Sequence, residues 1–459
     1  MLFTIDGEPM RFRKLIRLIK NRIFLRPLSE GLKSQSSAAE KPVSADIKEN
    51  EAFLRQSFSG FCDIVFRPFR FGKNRQLKGL LVYIDGLSDR RILNQDILNP
   101  LLKEQDLTYG KLTLDSLENI VAVTEMTEER NLDAAVNKIL SGETGFFVDG
   151  MAVSFVFNTK GWKSRSLQEP ENERVLRGPR QGFVETLRTN TALIRRIIKS
   201  TDLKTETFII GEKTKTEVVI MYLESLVNKG VLEILRKRLS SIKTDGILNV
   251  SYLEEFFEES PMSPFPQIMY TERTDRTVAN ILEGRIAVFA EGAPFALLVP
   301  SIFAQFFQSP DDYYNRPIFA SLTRIFRIIG FFVATTLPGI YVAVTTFHYE
   351  MIPSKLLIPI AQSRAGLPFS PLTETLLMEA TVEILREASI RLPGTIGQTI
   401  GIVGALVIGD AAVKANLVSP ILVIVLAITI LGSFTVPNYN ASLSSRIMRF
   451  PIIILAGYL

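Results

Sequence analysis

Cysteine and histidine are almost absent: the 459 residues include one of each, Cys62 and His348. An internal disulfide is thereby excluded, and so is any His/Cys cluster with zinc-ligand spacing. The sequence also lacks a P-loop, an HExxH motif and a nucleophile elbow, which leaves carboxylates alone for acid–base work. The expectation is a protein that is not an enzyme and carries no cofactor or metal. A basic field is missing too. The net charge of +5 is small for this length, and nucleic-acid binding needs basic runs interleaved with aromatics on a folded domain, so no nucleic-acid partner is expected. The N-terminal segment has no unbroken apolar core and no small-residue cleavage site, which excludes the secretory pattern.

What is present is of two kinds. Hydrophobic residues make up 46% and charged residues 22%, a mixture suited to a chain with a soluble part and an embedded part. Residues 1–26 form a basic amphipathic segment. In it Arg11, Arg13, Lys14, Arg17, Lys20 and Arg22 interleave with Leu15, Ile16, Leu18, Ile19, Ile23 and Phe24, a pattern for a helix on anionic lipid or a solvated helix. Residues 27–50, rich in Ser, Ala, Lys, Glu and Pro, read as a flexible linker. From 51 to 283 apolar alternation and helical periodicity take turns, as in α/β domains. Leu80–Ile84 reads as a buried strand, Gly145–Asn158 as a hairpin around Asp149-Gly150, and Glu206–Ile210 and Thr216–Tyr222 as strands flanking Gly211. Helices are expected at Leu132–Leu140, Val184–Ser200, Leu223–Ser241 and Tyr252–Glu259. A break between Pro170 and Pro179 separates α/β subdomains at 51–175 and 176–283.

Residues 284–459 read as a transmembrane helical domain of about four full spans plus a shortened last one. Ile286–Phe307 is taken as the first span, kinked by Pro294 and Pro300, with Glu291 as an intramembrane polar residue paired to Arg285 or Arg324. Ile328–Phe347, Leu392–Val413 and Leu417–Val436 follow, and a last apolar stretch runs from Phe450 to Leu459, too short to cross. The fold class is an α/β soluble N-terminal region followed by an all-α multi-span transmembrane domain. Lys355, Arg364, Arg386, Arg391, Arg446 and Arg449 then fall in loops on the side of the soluble region, making that side cytoplasmic, while Arg324 and Arg327 fall on the other side against the rule.

Several groups are candidates for function. Glu379, Glu383 and Glu387 recur at i, i+4 and i+8, along one face of a helix expected from Leu372 to Arg391. In a monomer that is the solvated face of an interfacial helix. In a ring it becomes stacked acidic rings at a cation path, with Thr395, Gln398 and Thr399 of the next span lining the narrow part. Gly397, Gly401, Gly404 and Gly409 permit close helix packing, within one subunit or between subunits. Asp410 is a second intramembrane polar candidate. Asp85 and Asp89 either bind a cation or shape a turn and cap a helix. Arg177–Gly182 (RGPRQG) either receives an anion or forms a salt-bridged corner.

Long stretches resemble the A subunits of GerA-type spore germinant receptors: YIDGLSD (Tyr83–Asp89), RGPRQGFVETLRTNTALIRR (Arg177–Arg196), PFPQIMYTERTDRTVANILEGRIAVFAEGAPFALLVPSIF (Pro264–Phe303), FHYEMIPSKLL (Phe347–Leu357) and MEATVEILREASIRLPGTIGQTIGIVGALVIGDAAVKANLVSPILVIV (Met378–Val425). The resemblance covers nearly everything from about residue 50 onward. It implies a cytoplasmic region of two α/β subdomains and a multi-pass domain in the inner membrane of the endospore. It also implies B and C subunits as partners, the transporter-like B subunit holding the amino-acid or sugar germinant. The A subunit would assemble as a homo-oligomer such as a pentamer, forming the channel that releases ions. Ser389-Ile390 departs from the glycine-containing form of the family, Asp410 stands where Gln is expected, and relatives continue past the last apolar stretch, which implies a shortened form. A secondary transporter subunit and a membrane-anchored scaffold or enzyme are the alternatives. A transporter would show repeats with paired broken helices, and the membrane part shows no such repeat.

Overall fold

The computed structural model describes residues 41–105, 107–108, 112–161, 169–170, 173–391 and 407–458. The basic segment and most of the expected linker lie outside the described residues. The linker's last residues are not linker: helix α1 (Ile47–Ser57) begins there, capped by the Asp46 side chain accepting from the Lys48 amide.

Strands β1 (Ile64–Phe71), β2 (Leu77–Ile84), β3 (Met126–Glu129), β4 (Thr144–Val148) and β5 (Ser154–Phe157) form one antiparallel sheet in the order β1-β2-β4-β5-β3. Strands β6 (Leu203–Ile210), β7 (Thr216–Leu223), β8 (Met269–Thr271), β9 (Ile286–Ala290) and β10 (Ala296–Val299) form a second, in the order β6-β7-β9-β10-β8. The two orders are the same. Helices α1 and α2 (Leu132–Leu140) of the first unit match α3 (Leu187–Ile197) and the later helix Thr274–Leu282 of the second.

The match extends to single hydrogen bonds. The buried Asn50 side chain accepts from Ser44 N (2.9 Å) and donates to Ser44 O (2.6 Å); buried Asn190 does the same with Val184, at 2.9 and 2.6 Å. Each closes the loop that leads into its helix, where free backbone groups would otherwise be left unpaired. Ile47 N donates to Asp149 of the β4–β5 hairpin and Leu187 N to Glu291 of the β9–β10 hairpin, a carboxylate at a helix N-terminus in both units. The next residues, Gly150 (φ 85°) and Gly292 (φ 81°), hold left-handed backbone that favours glycine, and both donate over 2.8 Å, to Ala45 O and Glu185 O. The chain carries one α/β module twice.

This overturns the reading of Ile286–Phe307 as a span. Every residue of β9 is buried, with Ile286, Val288 and Ala290 in one core and Ala287 and Phe289 in the other. A central strand covered on both faces is continuously apolar and hydropathy alone cannot tell it from a membrane segment. Glu291 is no intramembrane residue: it sits in a hairpin, holding the Leu187 amide at 2.8 Å. Its expected partners are engaged elsewhere, Arg285 with Glu283 and Arg324 with Asp312. The second module therefore runs to Val299 and does not stop at 283.

Helices cover both faces of each sheet. On the second module α4 (Lys229–Ser241) and α5 (Ser251–Phe257) supply Leu232, Leu235, Leu253 and Phe257 to one core, and α3 with α6 (Thr274–Leu282) closes the other. Arg195 of α3, fully buried, donates to both oxygens of buried Asp63 ahead of β1, to Thr205 Oγ1 at 3.1 Å, and stacks on Phe61 at 3.9 Å. Thr205 N donates in turn to Gly60 O at 2.7 Å. That ion pair joins the modules.

Beyond the modules come α7 (Pro317–Thr346), α8 (Ser354–Arg364), α9 (Pro371–Arg391), α10 (Pro420–Phe434) and α11 (Tyr439–Tyr458). Among the described residues α7 alone is long and apolar enough to cross a membrane. At ~1.5 Å per residue, α10 with 15 residues reaches about 22 Å. The span expected at Leu392–Val413 lies mostly outside the described residues. The end of α11 takes up the apolar stretch from Phe450, and Arg446 and Arg449 lie ahead of that stretch in the same helix, so they are helical and not in a loop. Near the modules Phe331 packs with Val436 and Ala441; at the far end Tyr341 meets Ser419. So α7 and α11 leave the modules in parallel, and α9 and α10 run back. With no span before α7, Lys355 and Arg364 move to the far end and Arg324 and Arg327 come to the modules' side.

Candidate functional site in the helical bundle

Helix α9 carries Glu374, Glu379, Glu383 and Arg386 three to five residues apart, and a helix with that spacing can direct them to one side. In the bundle that side faces α7 and α11. Glu379 is wholly buried and accepts from Arg449 Nη1 of α11 at 2.6 Å. Arg449, equally buried, donates from Nε to the Ala334 carbonyl of α7 at 2.7 Å. One turn on, Glu383 pairs with Arg446 of α11. Arg386 donates to Ser433 Oγ of α10 at 2.8 Å and lies 4.9 Å from the Phe434 ring centroid. Toward the far end buried Glu374 accepts from Arg364 of α8 (2.8 Å) and from the Ser419 amide (2.5 Å), and Ser419 caps α10. Arg364 also donates to Tyr341 Oη at 3.0 Å. One helix therefore ties three others, α8, α10 and α11, by ion pairs and hydrogen bonds inside an apolar bundle, and Arg449 and Arg364 carry the ties on to α7.

The expected acidic stripe is corrected by this arrangement. Glu379 and Glu383 are neutralised by arginines of a neighbouring helix, and Glu387 alone of the three is exposed, paired with Arg391 on its own helix. Neither a solvated face nor an open acidic ring describes them. Thr395, Gln398, Thr399, Gly397, Gly401 and Gly404 lie outside the described residues. Asp410 is exposed and bound to Lys414 at 2.6 Å. A Cβ on Gly409 would find its nearest neighbour, Val423, at 3.6 Å, ordinary contact and not a close helix approach. The close approaches are at Gly330 of α7 and Gly432 of α10, where a Cβ on Gly432 would fall 2.7 Å from the Gly330 carbonyl oxygen.

The seam is incompletely satisfied. Glu379 Oε1, Arg386 Nε and Arg449 Nη2 are buried with no hydrogen-bond partner among the described residues. Two carboxylates, Glu379 and Glu383, face three guanidiniums, Arg386, Arg446 and Arg449, leaving one positive charge in excess. A buried ionic network of this kind stabilises no more than a well-packed apolar core of the same volume, so stability does not account for it.

A second charged node binds the bundle to the modules. Asp312, just ahead of α7, accepts from Arg324 (2.9 Å) and Arg327 (2.7 Å). Burial pushes its carboxyl up, but the hydrogen bonds from Arg327 and Arg324 outweigh it and hold the group below the usual carboxylate range. Tyr314, pushed up to about 12 by burial and by its bond to Asp275, links the same turn to the second module. The RGPRQG run is the corner beside it: Pro179 O accepts from Arg273 and Arg180 pairs with Glu169. Asp85 takes both hydrogen bonds of Arg90, and Asp89 accepts from the Arg91 amide, the geometry of a turn and a cap.

Glu374, Arg446 and Arg449 were not legible as site residues. The available signal was an i, i+3 pair of arginines ahead of an apolar run, matched by carboxylates of like spacing on another helix.

Tandem α/β modules joined through an ion-paired turn to an apolar bundle with a charged interior define a two-part protein, an α/β region followed by an apolar helical part with one helix long enough to cross a membrane among the described residues. The family described as "Bacillus/Clostridium GerA spore germination protein" matches residues 52–459, and the chain belongs to it. Among relatives from Bacillus subtilis (strain 168), "Uncharacterized membrane protein YfkQ" is 41% identical over 93% of this chain and 82% of its own length. "Spore germination protein KA" is 38% identical over 91% and 77%, and "Spore germination protein A1" 40% identical over 82% and 78%. The crystal structure of the N-terminal domain of the A subunit of the Bacillus megaterium spore germinant receptor GerK3 aligns at 31% identity and a TM-score of 0.42, covering 57% of this chain and 98% of that one.

Proposed function

We propose that this chain is the A subunit of a nutrient germinant receptor in the spore inner membrane, where with B and C subunits it turns germinant binding into ion release as a homo-oligomeric, multi-pass channel. The observation that carries the reading is the Glu379–Arg449 pair, buried between α9, α11 and the Ala334 carbonyl of α7 with polar atoms left unpartnered. Such a pair is costly in an apolar bundle and suits an element with two arrangements better than a static core. The modules lie on the cytoplasmic side in this reading, supported by Arg324, Arg327, Arg386, Arg391 and Arg446, which sit at the bundle's module end. The chain performs no catalysis of its own, and turnover of a substrate by the modules would reverse that part.

The test is reconstitution of this chain with its B and C subunits in liposomes, followed by ion flux on adding germinant. Net cation flux without a stoichiometric co-substrate is the expected result. Glu379→Gln, which leaves Arg449 unpaired, shifts nutrient-triggered flux at least several-fold, and the exchange Glu379→Arg with Arg449→Glu returns it toward the original. Flux coupled to a co-substrate supports a secondary transporter, and no flux from a fully assembled complex supports a scaffold.

A further inference from the structure

Pro338 lies in the interior of α7 and has no N–H to offer the carbonyl four residues back. That carbonyl is Ala334. Leu337 and Pro338, the residues three and four on, have no hydroxyl to bond it, and in an apolar bundle a freed carbonyl has to be bonded from a neighbouring helix. Arg449 Nε of α11 donates to this oxygen at 2.7 Å. A guanidinium of another helix thus stands at the post of the absent amide. The two helices meet closely at the same turn, where a Cβ on Gly339 would fall 2.7 Å from Ile452 Cγ2.

On either side of Pro338, α7 belongs to a different core. Phe331 packs on Phe307, with 5.2 Å between ring centroids, and joins the core that includes Phe289 of the second module. Tyr341 and Val342 join Leu422, Leu426 and Ile453 instead, and Tyr341 Oη is tied to Ser419 and Arg364. The helix is anchored in two halves. Its backbone is weakest between them, where Pro338 removes a hydrogen bond and its ring crowds the preceding turn. The Glu379–Arg449 pair, for its part, has a second arrangement open to it. One carboxylate oxygen, Oε2, accepts from Arg449 Nη1, while Oε1 and Nη2 have no partner among the described residues. Letting go of Ala334 permits two parallel hydrogen bonds between the same two side chains and leaves a bare carbonyl in α7.

We propose that Arg449 is the latch of a hinge in α7: its Nε–H stands in for the amide that Pro338 lacks, and Glu379 holds the guanidinium in place. When the guanidinium withdraws into the two-point pair with Glu379, the far half of α7 swings at Pro338 relative to the half packed on the second module. This rests on the reading of the Glu379–Arg449 pair as an element with two arrangements, and it gives that element its moving part.

The full-length protein in detergent tests this in a Cys62→Ser background, with spin labels on Ile329→Cys and Thr346→Cys, exposed positions on either side of the hinge. In a straight helix they are about 25 Å apart along the axis, within reach of pulsed electron–electron measurements. Glu379→Met with Arg449→Met removes both charges together and leaves the Ala334 carbonyl bare. The expected result is a broader distance distribution than the parent's and a lower thermal midpoint. Adding Pro338→Ala supplies the missing amide, and it is expected to narrow the distribution again and to at least halve the loss in midpoint. If the methionine pair yields no folded protein, its recovery by Pro338→Ala supports the latch and a failure to recover overturns it. Broadening that persists with Pro338→Ala, an equal loss of midpoint in both backgrounds, or a parent-like distribution in the methionine pair would overturn the proposal and leave Arg449 a packing residue. Neither readout uses ion flux, so the latch and the channel reading fail separately.

Discussion

At the residue scale, the positions that hold this protein together are charges in places where charges are expensive. Arg195 and Asp63 lie 132 residues apart and are both buried. Neither could be buried alone, because a desolvated charge without a partner costs several kcal/mol. Asp63 keeps its place through both guanidinium hydrogen bonds, and Arg195 gains Thr205 and the face of Phe61. Arg195→Leu is expected to destabilise the tandem modules by about 3–5 kcal/mol, because Asp63 is left charged in the interior. The double change Arg195→Leu with Asp63→Leu recovers most of that loss, since no bare charge remains. Urea unfolding midpoints of the two variants check the order; equal losses in single and double variants would mean the pair matters only as packing.

At the element scale, the bundle is set by small residues and by one polar helix. Gly330 and Gly432 bring α7 and α10 into backbone contact, and a Cβ on Gly330 would run into Thr435 Oγ1 and lie 3.1 Å from the Gly432 carbonyl. Gly432→Val therefore forces the helices apart, with an expected cost of about 1–3 kcal/mol from overpacking. Gly409→Ala, with Val423 at 3.6 Å, is expected to change nothing measurable. Thermal unfolding of the two variants in detergent compares them, and a larger drop for Gly409→Ala would invalidate the assignment. Helix α9 supplies the rest: stripped of Glu374, Glu379 and Glu383 it would have no polar tie to α8, α10 or α11 except Arg386.

At the scale of the whole molecule, the duplication of the α/β module decides where the soluble part ends. A fragment of residues 41–283 stops short of β9 and β10, one of them the central strand of the second sheet. It strips the second module's two cores of Ile286–Ala290, all buried, and of Leu297 and Leu298. A fragment of residues 41–308 keeps both sheets. The longer one is expected to be soluble with a single cooperative thermal transition by circular dichroism, and the shorter to aggregate. A folded, soluble 41–283 fragment would contradict the sheet order.

How much of this was legible in the sequence depends on the range of the interactions involved. Local pattern sufficed where it is a local property: α2 at Leu132–Leu140, the β4–β5 hairpin around Asp149-Gly150, the strand pair about Gly211 and the apolar body of α7 all follow from periodicity and turn chemistry within a few residues. The family was legible too, from long matching stretches. The nature of Ile286–Ala290 was not, because a strand covered on both faces and a membrane segment share the same apolar composition, and only pairing with β7 and β10 separates them. From that one misreading came the wrong side for Arg324 and Arg327 and the misplacement of Glu291. Nor could spacing show that Glu379 and Glu383 are spoken for: the stripe at i, i+4 and i+8 is set by the sequence, but Arg446 and Arg449 lie more than sixty residues away. Whether such a stripe faces water, a pore or a partner helix is decided by which helices pack together, and that is a property of the tertiary structure alone.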